Sequence, residues 1–130
     1  MFSARRLVLG NLALLLGCLT ALGSTEAHAN LKVTATLPSL GAIVREVGGK
    51  NVDVDVLAAA TQDPHFVDAR PSLVLRLNQA SLVVQNGLEL EQAWLQPLLV
   101  QARNADILSG AKGSFNASQD VKLLGVPGDG

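Results

Sequence analysis

His65 is the residue of this chain best suited to bind a ligand. It lies in the segment 61–72, which follows an apolar run and precedes a second apolar pattern. Pro64 restricts the backbone that leads to it, and Asp63 stands two residues away. A neutral imidazole held on a loop after a strand is a common transition-metal ligand. The sequence therefore predicts a metal ligand at His65. Two interpretations stay open for Asp63, which either forms an Asp-Pro turn or accepts a hydrogen bond that orients the histidine ring.

Other metal ligands are scarce in the sequence. The chain has two histidines and one cysteine, and both His28 and Cys18 fall within the first 29 residues. A closed zinc site normally takes four ligands. The remaining candidates are carboxylates, which we expect to be partly exposed: Asp63, Asp68, Glu89 and Glu91. We therefore expect weak, poorly selective metal binding by this chain alone. Glu89 and Glu91 suit the positive end of a helix dipole better than a metal site.

The first 29 residues have the pattern of a secretory signal peptide. Arg5 and Arg6 precede an apolar run over residues 7–22, and Ala27-His28-Ala29 has the small-x-small order of a cleavage site. The apolar run is shorter than the roughly 20 residues that span a bilayer. We predict export to the periplasm, cleavage after Ala29 and no transmembrane segment in the mature chain. Attachment to a lipid through Cys18 is the alternative.

Composition and residue counts argue against two classes of function. The formal net charge is −1, tyrosine is absent, and lysines and arginines form no cluster. Nucleic-acid binding depends on clustered cations and stacking aromatics, so we expect none. One histidine in the mature chain does not form a convincing Ser-His-Asp or Cys-His set. A small metal-dependent hydrolase would need more ligands and a base, so we predict that the protein is not an enzyme.

The hydrophobic pattern alternates between strands and helices. Strands are predicted at residues 31–37, 51–57 and 81–85, with a further short strand at 106–108 or 121–124. Val52, Val54 and Val56 alternate with aspartates, which places the second strand near a sheet edge. This order predicts an α/β fold with a parallel sheet and alternating helices.

Helix boundaries were assigned from capping residues. Ser39 and Ser72 are predicted N-caps of the first two helices, and Gly48-Gly49 is predicted to end the first. The third helix carries Trp94, expected in the core, and is expected to kink at Pro97.

The predicted site lies at one edge of this sheet. Ligands of open α/β sheets bind outside the carboxyl ends of the strands. The His65 loop and the Asn86-Gly87 turn each follow a strand, so both should lie at that edge.

Several motifs together resemble the periplasmic zinc/manganese-binding receptors of ABC importers, which are solute-binding proteins. They are Asp63-Pro64-His65, Arg70-Pro71-Ser72, residues 77–84, residues 86–91 and Trp94-Leu95. The resemblance implies two α/β lobes with the metal in the cleft, and delivery of zinc, manganese or iron to a membrane permease. It assigns the first metal ligand to His65. The family's later ligands, a second histidine, a His or Glu, and an Asp or Glu, match no position here.

The resemblance sets the expected organisation and function. Residues 1–29 are predicted to be the signal peptide, 30–108 an amino-terminal α/β lobe, and 109–130 its Gly-rich, truncated continuation. The expected function is periplasmic capture of a divalent transition metal for an ABC permease of the inner membrane. Zinc is favoured, with manganese or iron open, and only the first ligand, His65, is present. The alternative is a non-functional or split-gene fragment, with the small hydrolase less favoured.

Overall fold

A parallel four-stranded sheet forms the centre of the computed structural model, which describes residues 29–124. Its strands are β1 (Leu31–Ala35), β2 (Val52–Val56), β3 (Leu82–Gln85) and β4 (Ser114–Asn116). Their order across the sheet is β2-β1-β3-β4, and every pair is parallel. The predicted α/β class with a parallel sheet is confirmed, as is the edge position of the second strand.

Three helices cover the two faces of the sheet unequally. They are α1 (Pro38–Gly48), α2 (Pro71–Gln79) and α3 (Gln92–Ala102). The connection from β1 to β2 runs in one direction across the sheet, and the next two connections run in the other. Right-handed crossovers therefore place α1 on one face and both α2 and α3 on the other.

The main core lies between the sheet and the α2–α3 pair. Its buried members are mostly aliphatic, and each fully buried leucine stabilises the fold by about 1.5–3 kcal/mol. They include Leu57, Val67, Leu73, Leu77, Val83, Trp94, Leu95, Leu98, Leu99, Ala102 and Ile107. Trp94 is in the core as predicted. Two loop residues, Leu57 and Val67, tie the connection between β2 and α2 to this core.

Within residues 29–124, the opposite face is covered by α1 alone and keeps an open apolar groove of about 510 Å³. α1 approaches β2 closely at Gly41, where a Cβ atom would lie 2.6 Å from a methyl group of Val56. Leu40 and Val44 on this side of the helix are partly buried, whereas Ile43 and Val47 are exposed. We call this feature the α1 groove; the apolar residues that line it are Leu31, Val33, Leu40, Ile43, Val44, Val47, Val52, Leu82, Val84, Phe115 and Ala117.

Both predicted N-caps are wrong. The N-caps are Leu37 and Arg70 and the helices begin at Pro38 and Pro71, two residues earlier than expected; neither N-cap makes a side-chain hydrogen bond. Proline fits the first helical position because its fixed φ is helical and its missing N–H would have no partner there. Ser39 and Ser72 consequently lie inside the first turn. The predicted end of α1 is confirmed, since Gly49 follows it with φ 53°.

The last predicted strand is also wrong. Residues 105–107 form a 3-10 helix, 121–124 form no strand, and the fourth strand is β4. Backbone contacts at Gly113, the residue before β4, explain the position of this strand. The Gly113 N–H donates to the Asp106 carbonyl (2.8 Å), and the Gly113 carbonyl accepts from the Val83 N–H (2.7 Å). Such contacts between distant segments leave no periodic pattern in the sequence.

The structure bears on the predicted signal peptide and on Pro97 only in part. The predicted signal peptide, including Cys18 and the apolar run, lies outside the described residues except for Ala29. Pro97 lies inside α3 as expected. In the part of the chain that the structure describes, no helix is long and apolar enough to cross a membrane.

Candidate metal site

His65 lies on the loop between β2 and α2, at the carboxyl edge of the sheet. This loop covers residues 57–70, and the histidine side chain is 61% exposed. The Asn86-Gly87 turn follows β3 at the same edge, in agreement with the predicted placement. The imidazole is therefore accessible where parallel sheets bind their ligands.

Asp63 contacts His65 twice through one carboxylate oxygen. Its Oδ1 accepts a hydrogen bond from the backbone N–H of His65 (2.9 Å) and lies 3.0 Å from His65 Nδ1. When Nδ1 carries the proton it donates to Asp63, and the lone pair of Nε2 is then free for a metal ion. The geometry fits both interpretations of Asp63: its carboxylate forms a turn by binding the His65 backbone N–H, and it also contacts the histidine ring.

The electrostatics of this pair favour an ionised carboxylate. Hydrogen bonds from the His65 backbone amide, and then from its ring, hold the pKa of Asp63 below its ordinary value of 3.8. Asp63 is therefore an anionic acceptor at neutral pH. A carboxylate in this role raises the basicity of a histidine toward a metal.

Trp94 fixes the backbone immediately before His65. Its indole Nε1 donates a hydrogen bond to the carbonyl oxygen of Pro64 (2.8 Å), and Trp94 itself is only 5% exposed. The sequence placed Trp94 in the core but did not predict this contact. No local pattern indicates it, since the two residues are 30 positions apart.

Glu91 corrects an expectation, because it is buried and not partly exposed. It is 2% exposed and is the N-cap of α3. Its carboxylate accepts hydrogen bonds from Thr36 Oγ1 (2.6 Å), Asn86 N (2.7 Å) and Gly87 N (3.1 Å). All three donors lie at the carboxyl edge, Thr36 after β1 and the other two after β3. The Glu91 carboxylate therefore links the ends of β1 and β3 and does not face a metal. The sequence did contain a signal for this burial: Glu91 precedes the predicted core residue Trp94 by three positions, and residues three apart lie on the same side of a helix.

The turn after β3 has an unusual backbone. Gly87, Leu88 and Glu89 have φ of 83°, 54° and 65°. Gly87 is required for a second reason, because a Cβ atom there would overlap the side chain of Asn116. The chain leaves β3 at Asn86-Gly87 as predicted, but the turn itself lies at residues 88–91, where the Leu90 N–H donates to the Gly87 carbonyl (3.3 Å). Glu89 in this turn is exposed.

The remaining carboxylates do not complete a metal site. Asp68 and Glu89 are both exposed. Among residues 29–124, no three histidine, cysteine, aspartate or glutamate side chains come together closely enough to hold a metal ion. The described part of the chain thus offers one imidazole with one supporting carboxylate.

Comparison with known proteins finds relatives that are named for metal transport. The family model "Zinc-uptake complex component A periplasmic" matches residues 33–128. The chain is 29% identical to the manganese ABC transporter substrate-binding lipoprotein PsaA of Streptococcus pneumoniae over 117 residues; this match covers 88% of this chain and 36% of PsaA. It is 31% identical to the metal ABC transporter substrate-binding lipoprotein ScbA of Streptococcus cristatus over 118 residues; this match covers 88% of this chain and 37% of ScbA.

Solved structures agree with these sequence matches. A crystal structure of ZnuA superposes with a TM-score of 0.60 at 25% identity, covering 74% of this chain and 35% of that one. The Mn-bound periplasmic metal binding protein of Candidatus Liberibacter asiaticus gives 0.61 at 21% identity, over 75% and 34%, which supports the fold alone. The chain spans about a third of the length of the relatives that it matches.

Proposed function

The chain belongs to the family of periplasmic zinc-uptake complex component A proteins, and from this premise we propose that it contributes to capturing a divalent transition metal for an ABC importer. The metal is the cargo of such a protein, and the partner is the importer's permease. This membership confirms the resemblance of the sequence to zinc/manganese receptors. Because the chain spans only about a third of its relatives, the activity of a whole receptor is part of the proposal.

The accessible imidazole of His65 is the observation that supports this function best. Asp63 occupies Nδ1, so Nε2 is the donor atom offered to solvent. The loop that carries it is tied to the core through Val67 and Trp94. An imidazole held in this way by a carboxylate and a fixed backbone has the character of a metal ligand.

Zinc is the metal we propose first, with manganese as the second. Imidazole nitrogen suits zinc, whereas manganese prefers oxygen ligands. The named relatives include both a manganese transporter lipoprotein and ZnuA. Iron, which the sequence left open, has no support among these names.

The chain by itself should bind metal weakly. One imidazole is a small part of the four-ligand set that a closed zinc site uses. We therefore propose that the other ligands lie outside residues 29–124, and that His65 contributes the first. No catalytic step belongs to this function, since the relatives are named substrate-binding proteins.

We also propose that the protein is exported from the cytoplasm. The Arg5-Arg6 start, the apolar run and Ala27-His28-Ala29 support a signal peptide. The relatives PsaA and ScbA are lipoproteins by name, which gives weight to the alternative of attachment through Cys18. Either route places the metal site outside the inner membrane, where a permease collects its cargo.

Replacing His65 tests the function directly. We expect His65→Ala to lower the affinity for Zn²⁺ by at least about tenfold, which corresponds to about 1.4 kcal/mol. Zinc titrations followed by calorimetry and by the NMR signals of the histidine ring measure this change. Asp68→Asn is the matched control, because it alters an exposed carboxylate of the same loop. Equal affinity in His65→Ala and the wild type would refute the assignment.

A further inference from the structure

The backbone around His65 has one strong connection to the core on its N-terminal side. The Trp94 indole donates to the carbonyl of Pro64, the residue immediately before His65. The side chains of His65 and Phe66 are exposed, Phe66 by 75%. Packing holds the loop after His65 at the buried Val67, whereas the hydrogen bond from Trp94 places the Pro64 backbone before it.

Trp94 is itself held in a fixed position by the first turn of α3. Glu91, three residues earlier on the same helix face, accepts hydrogen bonds from Thr36 at the end of β1 and from the turn after β3. These bonds fix the start of α3 against two central strands. The indole N–H consequently has a defined location at the carboxyl edge.

We propose that Trp94 is a positioning residue for His65, and this inference rests on the proposed function. The donated hydrogen bond sets the location and direction of the Pro64 peptide, and through it the backbone from which the imidazole extends. A smaller phenylalanine would also bury an aromatic ring in the core, but it could not donate this hydrogen bond. The N–H group is the feature that links the core to the metal ligand.

Trp94→Phe tests this role, since it keeps an aromatic ring and removes the donor. We expect affinity for Zn²⁺ to fall about two- to tenfold, the equivalent of one lost hydrogen bond. We also expect faster hydrogen exchange at the His65 amide without metal, by a similar factor. Leu99→Val on the same helix is the control, because it weakens the core and leaves the indole N–H of Trp94 in place. Both measurements are made on the full chain under conditions where circular dichroism shows every variant folded.

The outcomes separate this inference from the proposed function. Unchanged exchange and unchanged Zn²⁺ affinity in Trp94→Phe would overturn the positioning role, as would equal changes in Leu99→Val. If His65→Ala does not alter Zn²⁺ binding, the proposed function fails, while exchange at the His65 amide still reports the positioning.

The wild type supplies a second test in case Trp94→Phe does not fold. The chain has one tryptophan, so its indole N–H gives a single NMR signal. We expect Zn²⁺ to shift this signal in the wild type and not in His65→Ala. A signal that stays fixed while the His65 ring signals move would contradict the connection.

Discussion

The pair of Asp63 and His65 is a local structure, which is why the sequence could predict it. The two residues are separated by one proline, and the carboxylate reaches both the backbone and the ring of the histidine. Short side chains such as aspartate commonly bond to the backbone two residues on. The contacts within this pair are therefore made by three consecutive residues, whereas the place of the pair in the molecule depends on the fold.

Acid should disrupt this pair only at low pH. The lowered pKa of Asp63 means that its stabilising effect is present above 3.8 and is lost as pH falls through the lower, folded-state pKa. We expect the side-chain carboxyl-carbon signal of Asp63 in NMR to titrate with a midpoint below 3.8. His65→Ala should move this midpoint part of the way back toward 3.8, because it removes the ring hydrogen bond, and Asp68→Asn should leave it lowered. A wild-type midpoint at or above 3.8 would contradict the prediction.

Glu91 shows where prediction from single residues fails. Its partner Thr36 lies 55 positions away, and its other partners are backbone N–H groups whose direction depends on the unusual turn after β3. A glutamate before a helix is ordinarily read as an exposed residue that favours the dipole. Only the folded arrangement reveals three donors converging on it.

At the scale of elements, strands with alternating patterns were predictable and element ends were not. β1, β2 and β3 lie within one or two residues of the predicted ranges. The helix starts were missed because Pro38 and Pro71 take the first helical position ahead of the serines. β4 was missed because a three-residue strand shows no periodicity and its place depends on contacts at Gly113.

The first turn of α3 is the element on which the carboxyl edge depends most. Glu91→Gln replaces one carboxylate oxygen by an amide NH₂ group, which cannot accept a hydrogen bond. The donors that face this group, either Gly87 or the pair Thr36 and Asn86, then lose their acceptor. Leaving a buried donor unpaired costs about 1–3 kcal/mol, so we expect the free energy of unfolding to fall by about that amount. Urea denaturation measures it. Glu89→Gln, at an exposed position in the same turn, should change stability by less than about 0.5 kcal/mol. A stability loss in Glu89→Gln as large as that in Glu91→Gln would contradict this account.

At the scale of the whole molecule, the two faces of the sheet differ in how well they are covered. The α2–α3 face is a closed core, whereas the α1 groove leaves Ile43 and Val47 exposed, Val47 by 84%. Phe115 at the β4 edge adds to the same apolar surface. An exposed apolar patch of this kind promotes association.

We expect the described chain to self-associate through the α1 groove as its concentration rises. Replacing Ile43 and Val47 together by lysine should weaken association more than about tenfold, because it removes apolar area from the contact. Sedimentation equilibrium measures the change. Leu75→Lys is the control, since Leu75 is similarly exposed on α2, away from the groove. A wild-type chain that stays monomeric, or equal effects at both places, would argue against association through this groove.

The strand order has a consequence for how the chain acquires its structure. β1 is made first but lies in the interior of the sheet, where Val33 pairs with Val54 on one side and with Leu82 on the other. Its second neighbour is thus synthesised about fifty residues later. Parallel pairings over such separations form slowly, because loop-closure entropy must be overcome before the contacts stabilise anything. The nascent polypeptide should therefore stay open until β3 has been made, which is compatible with the export that we propose for it.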